Sequence, residues 1–406
     1  MSSIEVSRRA LLGGMAGMGI AFLGRAEAAG ASLAGRKLVI VICRGGMDGL
    51  AVSPPLGSPD YAALRGAIAF APEEVLALDG EFGLHPSLTG FRALVSNGQA
   101  RILPALASPD RARSHFEAQD VLESGASTAY GAETGWLNRT LQALAPGRVV
   151  EALSVGATAP LILRGPAVSG SWSPGGKASV SSRLPGLLMD LYAGDSVLGP
   201  ALAQGLETEL MAASARAAAS SSVAMAGTSV GEVRRGTTEA TTLGRTVAGF
   251  MVQPGGPDLV AVSAEGYDTH ANQGRVTGAL SVRLAYLDGL IEGLRLGLGR
   301  TWSKTVVVCV TEFGRTARVN GTRGTDHGTA STALLAGGAL KPGGIIGDWP
   351  GLGAAALFEG RDLRPTVDSR SLFKGLLLDH LGIERKLLDR QVFPDSTSAA
   401  PLTGLV

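Results

Sequence analysis

Residues 37–43 read Lys-Leu-Val-Ile-Val-Ile-Cys, and Arg44-Gly45-Gly46 follows at once. Six apolar residues in a row leave no face for water. The run fits a strand buried on both sides in a parallel sheet, and the glycines break it into a loop. The pattern returns at Asp258–Ser263 (DLVAVS) and Thr305–Thr311 (TVVVCVT), each closing on polar residues and glycine. Val150–Val155 and Leu161–Arg164 are weaker strand candidates. Between Gly274 and Gly299, Leu284, Leu287, Leu290, Ile291 and Leu294 recur at helical spacing, and Ser371–Leu381 reads as a second amphipathic helix. Strands alternating with helices predict an α/β fold with a mostly parallel central sheet sandwiched by helices. In such sheets ligands bind beyond the carboxyl ends of the strands.

The balance of charge narrows the function. Against 36 Lys+Arg stand 35 Asp+Glu, a net charge of +1, which excludes a polycation built to coat nucleic acid. With 45% hydrophobic and 17% charged residues, whole-chain disorder is excluded too. Two cysteines cannot build a disulfide framework or a thiolate zinc module. Cys43 and Cys309 each lie in an apolar strand run and read as buried thiols; a bridge between them would need favourable cross-strand geometry.

The N-terminus carries Ser7-Arg8-Arg9-Ala10-Leu11-Leu12, a glycine-rich apolar run to Leu23, then Ala26-Glu27-Ala28. This is the form of a twin-arginine signal peptide over residues 1–28, with a small-residue cleavage site. Its apolar run is too short to span a bilayer, so no stable membrane insertion is expected after cleavage. The mature chain, from near Ala29, is expected in the periplasm or outside the cell. Residues 29–406 read as one α/β domain. A Ser/Gly- and Ala-rich stretch around 169–242 reads as a helical and loop insertion, with helix near Leu198–Ser220.

Polar clusters stand at the strand ends: Arg44-Gly45-Gly46-Met47-Asp48, Glu265-Gly266-Tyr267-Asp268-Thr269-His270, Thr311-Glu312-Phe313-Gly314-Arg315 and Gly324-Thr325-Asp326-His327-Gly328. Asp48, Asp268, His270, Asp326 and His327 are hard oxygen and imidazole donors, suited to a divalent metal: one or two ions of Zn, Mn, Fe or Ca. Three of the five histidines fall in Asp-His or Ser-His pairs, at His115, His270 and His327. Arg113-Ser114-His115-Phe116-Glu117 opens a predicted helix. Ser114 reads either as a nucleophile at a helix N-terminus or as a plain cap, with Glu117 at capping-box spacing. Arg44, Arg113 and Arg315 read as clamps for an oxyanion or as partners of Glu117, Asp120 or Glu312. His85 and His380 read as structural. Trp136, Asn138 and Arg139 are expected along the cleft.

Together, CRGGMDGLAVSPP, RSHFEAQDVLESG, GWLNR, GYDTHANQ and TEFGRTARVNGTRGTDHGTAST, behind a twin-arginine leader, resemble the secreted proteins of the domain of unknown function 1501 family. The resemblance runs from about Arg36 to Phe393. That family is grouped with the alkaline-phosphatase-like superfamily of phosphatases, sulfatases and cofactor-independent mutases. The resemblance implies a site at the strand ends holding two metals. It implies Asp48, Asp326 and His327 on one metal, Asp268 and His270 on the other, and Ser114 as nucleophile; on the reading of the residues themselves, Arg44, Arg113 and His115 are further catalytic candidates beside it. The chain departs from the pattern at two points. Asp268 and His270 are two residues apart where the superfamily has four, and no late histidine follows except His380. His115 or His85 fills that place, or the site holds one metal. The resulting expectation is an exported metal-dependent hydrolase of phosphate or sulfate esters, small or polymer-borne. The alternative is a non-catalytic secreted scaffold or binding protein on the same fold. No nucleic-acid partner is expected.

Overall fold

The computed structural model describes residue 33, residues 35–144, 152–156, 158–174 and 231–406, and scattered positions between 192 and 215. The leader at 1–28 and most of the 169–242 stretch lie outside the described residues. The described strands are β1 (Lys37–Cys43), β2 (Leu76–Ala77), β3 (Gly83–Leu84), β4 (Ala100–Ala107), β5 (Ala152–Val155), β6 (Gly170–Trp172), β7 (Leu259–Ala264), β8 (Thr305–Val310), β9 (Ser331–Ala336) and β10 (Val367–Asp368). Eight of them form one sheet in the order β10-β4-β9-β8-β1-β7-β5-β6, while β2 and β3 make a small antiparallel pair. Only β9 runs against its neighbours, β4 and β8. The sheet is therefore mostly parallel, as the uninterrupted apolar runs required.

Helices cover both faces. On one side Val39, Val41 and Cys43 of β1 pack with Phe91, Val247, Leu284 and Leu287. These come from helices α1 (Thr89–Ser96), α4 (Gly231–Val252) and α5 (Ala279–Leu298). On the other, Leu38, Ile40 and Ile42 pack with Leu122, Trp136, Phe373 and Leu376. Those belong to α2 (His115–Ser124), α3 (Trp136–Leu144) and α6 (Ser369–Asp379). Burying both faces of one strand makes β1 the centre of the molecule, each large aliphatic side chain contributing about 1.5–3 kcal/mol.

Several expectations are corrected. Leu161–Leu163 is a single 3-10 turn, not a strand. β4 has no strand signature in the sequence because Pro104 sits inside it, and proline argues against a strand interior. The sheet accommodates it at an irregularity: the β4–β9 register shifts between Leu103 and Leu106, and Ala105 takes φ 57°. Gly170–Trp172, assigned to the insertion, pairs with β5 as an edge strand. Trp136, Asn138 and Arg139 are buried rather than lining a cleft. Trp136 stacks on Phe373, Asn138 donates to the Leu163 carbonyl at 2.9 Å, and Arg139 donates to the Val392 carbonyl. Both cysteines are free and buried, and burial pushes the Cys43 thiol up to about 12 despite its bond to Tyr267. Among the described residues no helix is long and apolar enough to cross a membrane.

Candidate metal centre

Because β1, β4, β7 and β8 run in one direction and β9 in the other, four carboxyl ends and one amino end share a rim. The loops at that rim stack closely. Gly45 has φ 116°, and a Cβ there would lie 2.5 Å from the Asp268 amide nitrogen, so only glycine lets the two loops touch. Arg315, whose side chain is fully buried, ties the loops together. It donates to the carbonyls of Gly45, Gly46, Thr325 and Tyr267 and pairs with Asp268. Burial would raise the Asp268 carboxyl, but the Arg315 hydrogen bond and charge outweigh it and hold Asp268 ionised.

Three imidazoles face this carboxylate. His115 begins α2, and its Nδ1 lies 2.9 Å from Glu312 Oε1. Glu312 is buried, yet hydrogen bonds from His115, Gly45 and Gln119 pull its pKa down against that burial. The Glu312 bond raises His115, and because a carboxylate can only accept, the proton it shares sits on Nδ1; in the neutral ring Nε2 is then the lone pair. That Nε2 is buried with no hydrogen-bond partner among the described residues, and Asp268 Oδ2 stands 3.5 Å away. His327 is held in the same way at one nitrogen: its Nδ1 bonds the Arg113 carbonyl at 2.9 Å, and its Nε2 faces the cluster, where it meets His270. Arg113 adopts the left-handed φ of 58° in making this turn, a conformation that costs a non-glycine residue roughly 1–2 kcal/mol. His270 Nε2 lies 2.9 Å from His327 Nε2 and 3.1 Å from Asp268 Oδ1.

Donor atoms of His115, Asp268 and His327 all fall within 4.8 Å of one another. An orphaned, buried imidazole nitrogen beside a carboxylate and a second lone-pair nitrogen is a donor set that fits a cation. Metal–ligand distances of about 2.0–2.2 Å would draw these atoms to within about 4.4 Å of one another, a small contraction from the present spacing. Phe313 packs against the rings of His115 and His327 with centroids 4.9 and 4.8 Å apart.

The other expected residues fall elsewhere. Asp48 is 1% exposed and accepts from Arg65 and, at 2.6 Å, from Gln273 Nε2, so its charge is already met. Asp326 stands behind His270, 3.3 Å from its Nδ1, with its carboxyl lowered first by the Asn320 hydrogen bond. Arg44 and Arg113 are committed to carboxylates instead of facing an anion. Arg44 pairs with Glu123 at 2.5 Å, and Arg113 with Asp362 at 2.7 Å and Glu359 at 2.6 Å. Ser114 is the N-cap of α2, but its side chain makes no capping hydrogen bond, so the capping-box expectation fails. His85 and His380 are structural: each ring bonds a backbone carbonyl, of Arg275 and Lys37 respectively. Glu312 was weighed in the sequence only as a partner for arginine; its one signal was a lone acid ending a buried strand run. A cavity of about 400 Å³ opens beside Asp326, lined also by Asn320, Arg318, Leu352 and Leu357.

A family model described as "Protein of unknown function (DUF1501)" matches residues 35–392. The chain belongs to the DUF1501 family. No curated protein matches it. Among solved structures, this DUF1501 protein is similar to the lipoteichoic acid synthase LtaP from Listeria monocytogenes, at 8% identity and TM-score 0.39, over 90% of this chain and 76% of that one. It is similar to the phosphonate monoester hydrolase of Agrobacterium radiobacter, at 10% identity and TM-score 0.37, over 86% and 74%. It is similar also to the C-terminal periplasmic domain of EcEptC from Escherichia coli in complex with zinc, at 11% identity and TM-score 0.35, over 74% and 72%. The architecture of the DUF1501 chain rests on its own strand order.

Proposed function

We propose that this DUF1501 protein is an exported, divalent-metal-dependent hydrolase of phosphate or sulfate esters with Ser114 as nucleophile. The observation that supports it best is the buried, unpartnered His115 Nε2 converging with Asp268 and His327, next to a serine whose hydroxyl is not spent on capping. His115, Asp268 and His327 would hold the ion, with His270 as a fourth donor. This nitrogen-rich set suits Zn, Fe or Mn and disfavours Ca, which seeks six to eight oxygens. A bound ion would polarise the ester oxygen and lower the pKa of a nearby hydroxyl.

The chain's own residues supply the rest. Ser114 sits at the N-terminus of α2, where backbone N–H groups favour negative charge on its oxygen and on the ester group. Arg315 holds Asp268 ionised, and Glu312 and the Arg113 carbonyl fix two imidazoles. The cavity beside Asp326 would receive the organic part of the ester, with Arg318 at its edge and Leu352 and Leu357 as an apolar wall. Export by the twin-arginine route, with residues 1–28 removed, is part of the proposal. The test is an ester screen on metal-loaded protein with Ser114→Ala as control. Loss of at least ~10³-fold in kcat is expected. Full activity of the variant on an ester the wild type cleaves would refute serine as nucleophile.

A further inference from the structure

Resting on the metal reading above, we infer that Glu312 is the positioning residue of the centre and acts through His115. Glu312 Oε1 accepts from His115 Nδ1 at 2.9 Å, from the Gly45 amide at 2.8 Å and from Gln119 Nε2 at 3.2 Å. Its Oε2 accepts from the Thr311 hydroxyl at 2.9 Å. The side chain is wholly buried, so the carboxylate has one setting. A neutral histidine that donates Nδ1–H to a fixed carboxylate presents Nε2 as a lone pair. Here that atom is the buried one left without a partner. Metal-binding imidazoles are held in this way, and removing the outer partner typically weakens the metal about 10–100-fold.

The carboxylate is itself held from α2. His115, Gln119 and Glu123 recur every four residues on one face of that helix. Arg44 spans the last two, donating to Gln119 Oε1 at 2.8 Å and Glu123 Oε1 at 2.5 Å. Gln119, its carbonyl oxygen taken by Arg44, is turned so that its Nε2 meets Glu312. Arg44, expected to clamp an anion, instead orients the group that orients His115. Four polar side chains thus run in series from the β1 loop to the candidate centre.

The experiment measures Zn²⁺ affinity of the full chain by competition with a chromophoric chelator, and the visible spectrum of the Co²⁺ form. Wild type, Glu312→Gln, Glu312→Ala and Gln119→Ala are compared. Glu312→Ala is expected to weaken Zn²⁺ about 10–100-fold. Glu312→Gln keeps an acceptor without the charge and falls between it and wild type; both shift the Co²⁺ bands. Should the alanine variant not fold, the isosteric glutamine variant decides. Folded Glu312 variants that bind Zn²⁺ within threefold of wild type, with unchanged Co²⁺ bands, overturn the inference. A wild type that binds no ion overturns the metal reading itself, a different outcome read from the same titration.

Discussion

Asp48 and Asp268 both follow neighbouring parallel strands, β1 and β7, and both read as metal ligands. Their surroundings separate them. Asp48 is closed in by one guanidinium and one carboxamide, Arg65 and Gln273, with no imidazole bonded to it. Asp268 has a side chain 45% exposed and stands among three imidazoles and Arg315. The same residue type at equivalent strand ends therefore serves two ends. Asp48 locks the β1 loop to Arg65 and to the Gln273 carboxamide, which reaches Thr269 and Thr325. Asp268 faces three imidazoles with its side chain half exposed, the setting in which the proposed ion would be held. A carboxylate already paired with a buried guanidinium has less charge left for a metal.

The sharpest test of this contrast is stability. Asp48→Ala would strand the fully buried Arg65 charge, and denaturant unfolding should show a loss of about 3–5 kcal/mol. If it unfolds at wild-type denaturant concentrations, Asp48 is not the lock. The second test is binding. Asp268→Ala is expected to weaken Zn²⁺ at least ~100-fold, about 2.7 kcal/mol, because in the proposed centre it is a direct donor. Asp48→Asn, which keeps the shape, should bind the ion as wild type does. Equal losses in the two variants would erase the contrast.

The third and smallest effect concerns His85, which lies near the Asp48 charge. Burial pushes its pKa down to about 4 from an ordinary 6.5. The unfolded chain then takes up a proton below pH 6.5 that the folded chain refuses until about pH 4. Stability is accordingly full above pH 6.5 and falls as the pH drops through that window. Between pH 7 and pH 5 the loss should be about 2 kcal/mol. His85→Gln should flatten that part of the profile; an unchanged slope would place the proton uptake elsewhere.

Much of the fold could be read from residues alone. β1, β7 and β8 announce themselves because strands covered on both faces cannot alternate. β4 and β9 do not: one carries Pro104, and the other, Ser-Thr-Ala-Leu-Leu-Ala, has no period that tells strand from helix. The site was legible as residue types but not as partners. Asp268, His327, His115 and His270 do gather at the rim. Yet nothing in one dimension distinguishes a free carboxylate from one already paired, as Asp48 and Arg65 are across 17 positions. Glu312 reads only as an arginine's partner for the same reason. Its meaning lies in His115, 197 residues away.

The lone antiparallel strand has a consequence for how such a protein can diversify. A parallel successor to β8 would need a crossover that carries the chain back to the opposite rim. Because β9 reverses, the chain from Thr311 to Ala330 leaves and re-enters at the same rim. It is pinched shut where Arg315 faces His327 and where the Thr316 amide donates to the Asp326 carbonyl at 2.9 Å. Beyond the pinch, residues 317–325 form a closed tip that includes Arg318 and Asn320 of the cavity wall. Doubling the length of a loop whose ends are already joined costs only about 0.6 kcal/mol. Lengthening or exchanging that tip would reshape the cavity while His327, Asp268 and His115 keep their places. One scaffold could in this way present a constant centre to a changing set of molecules.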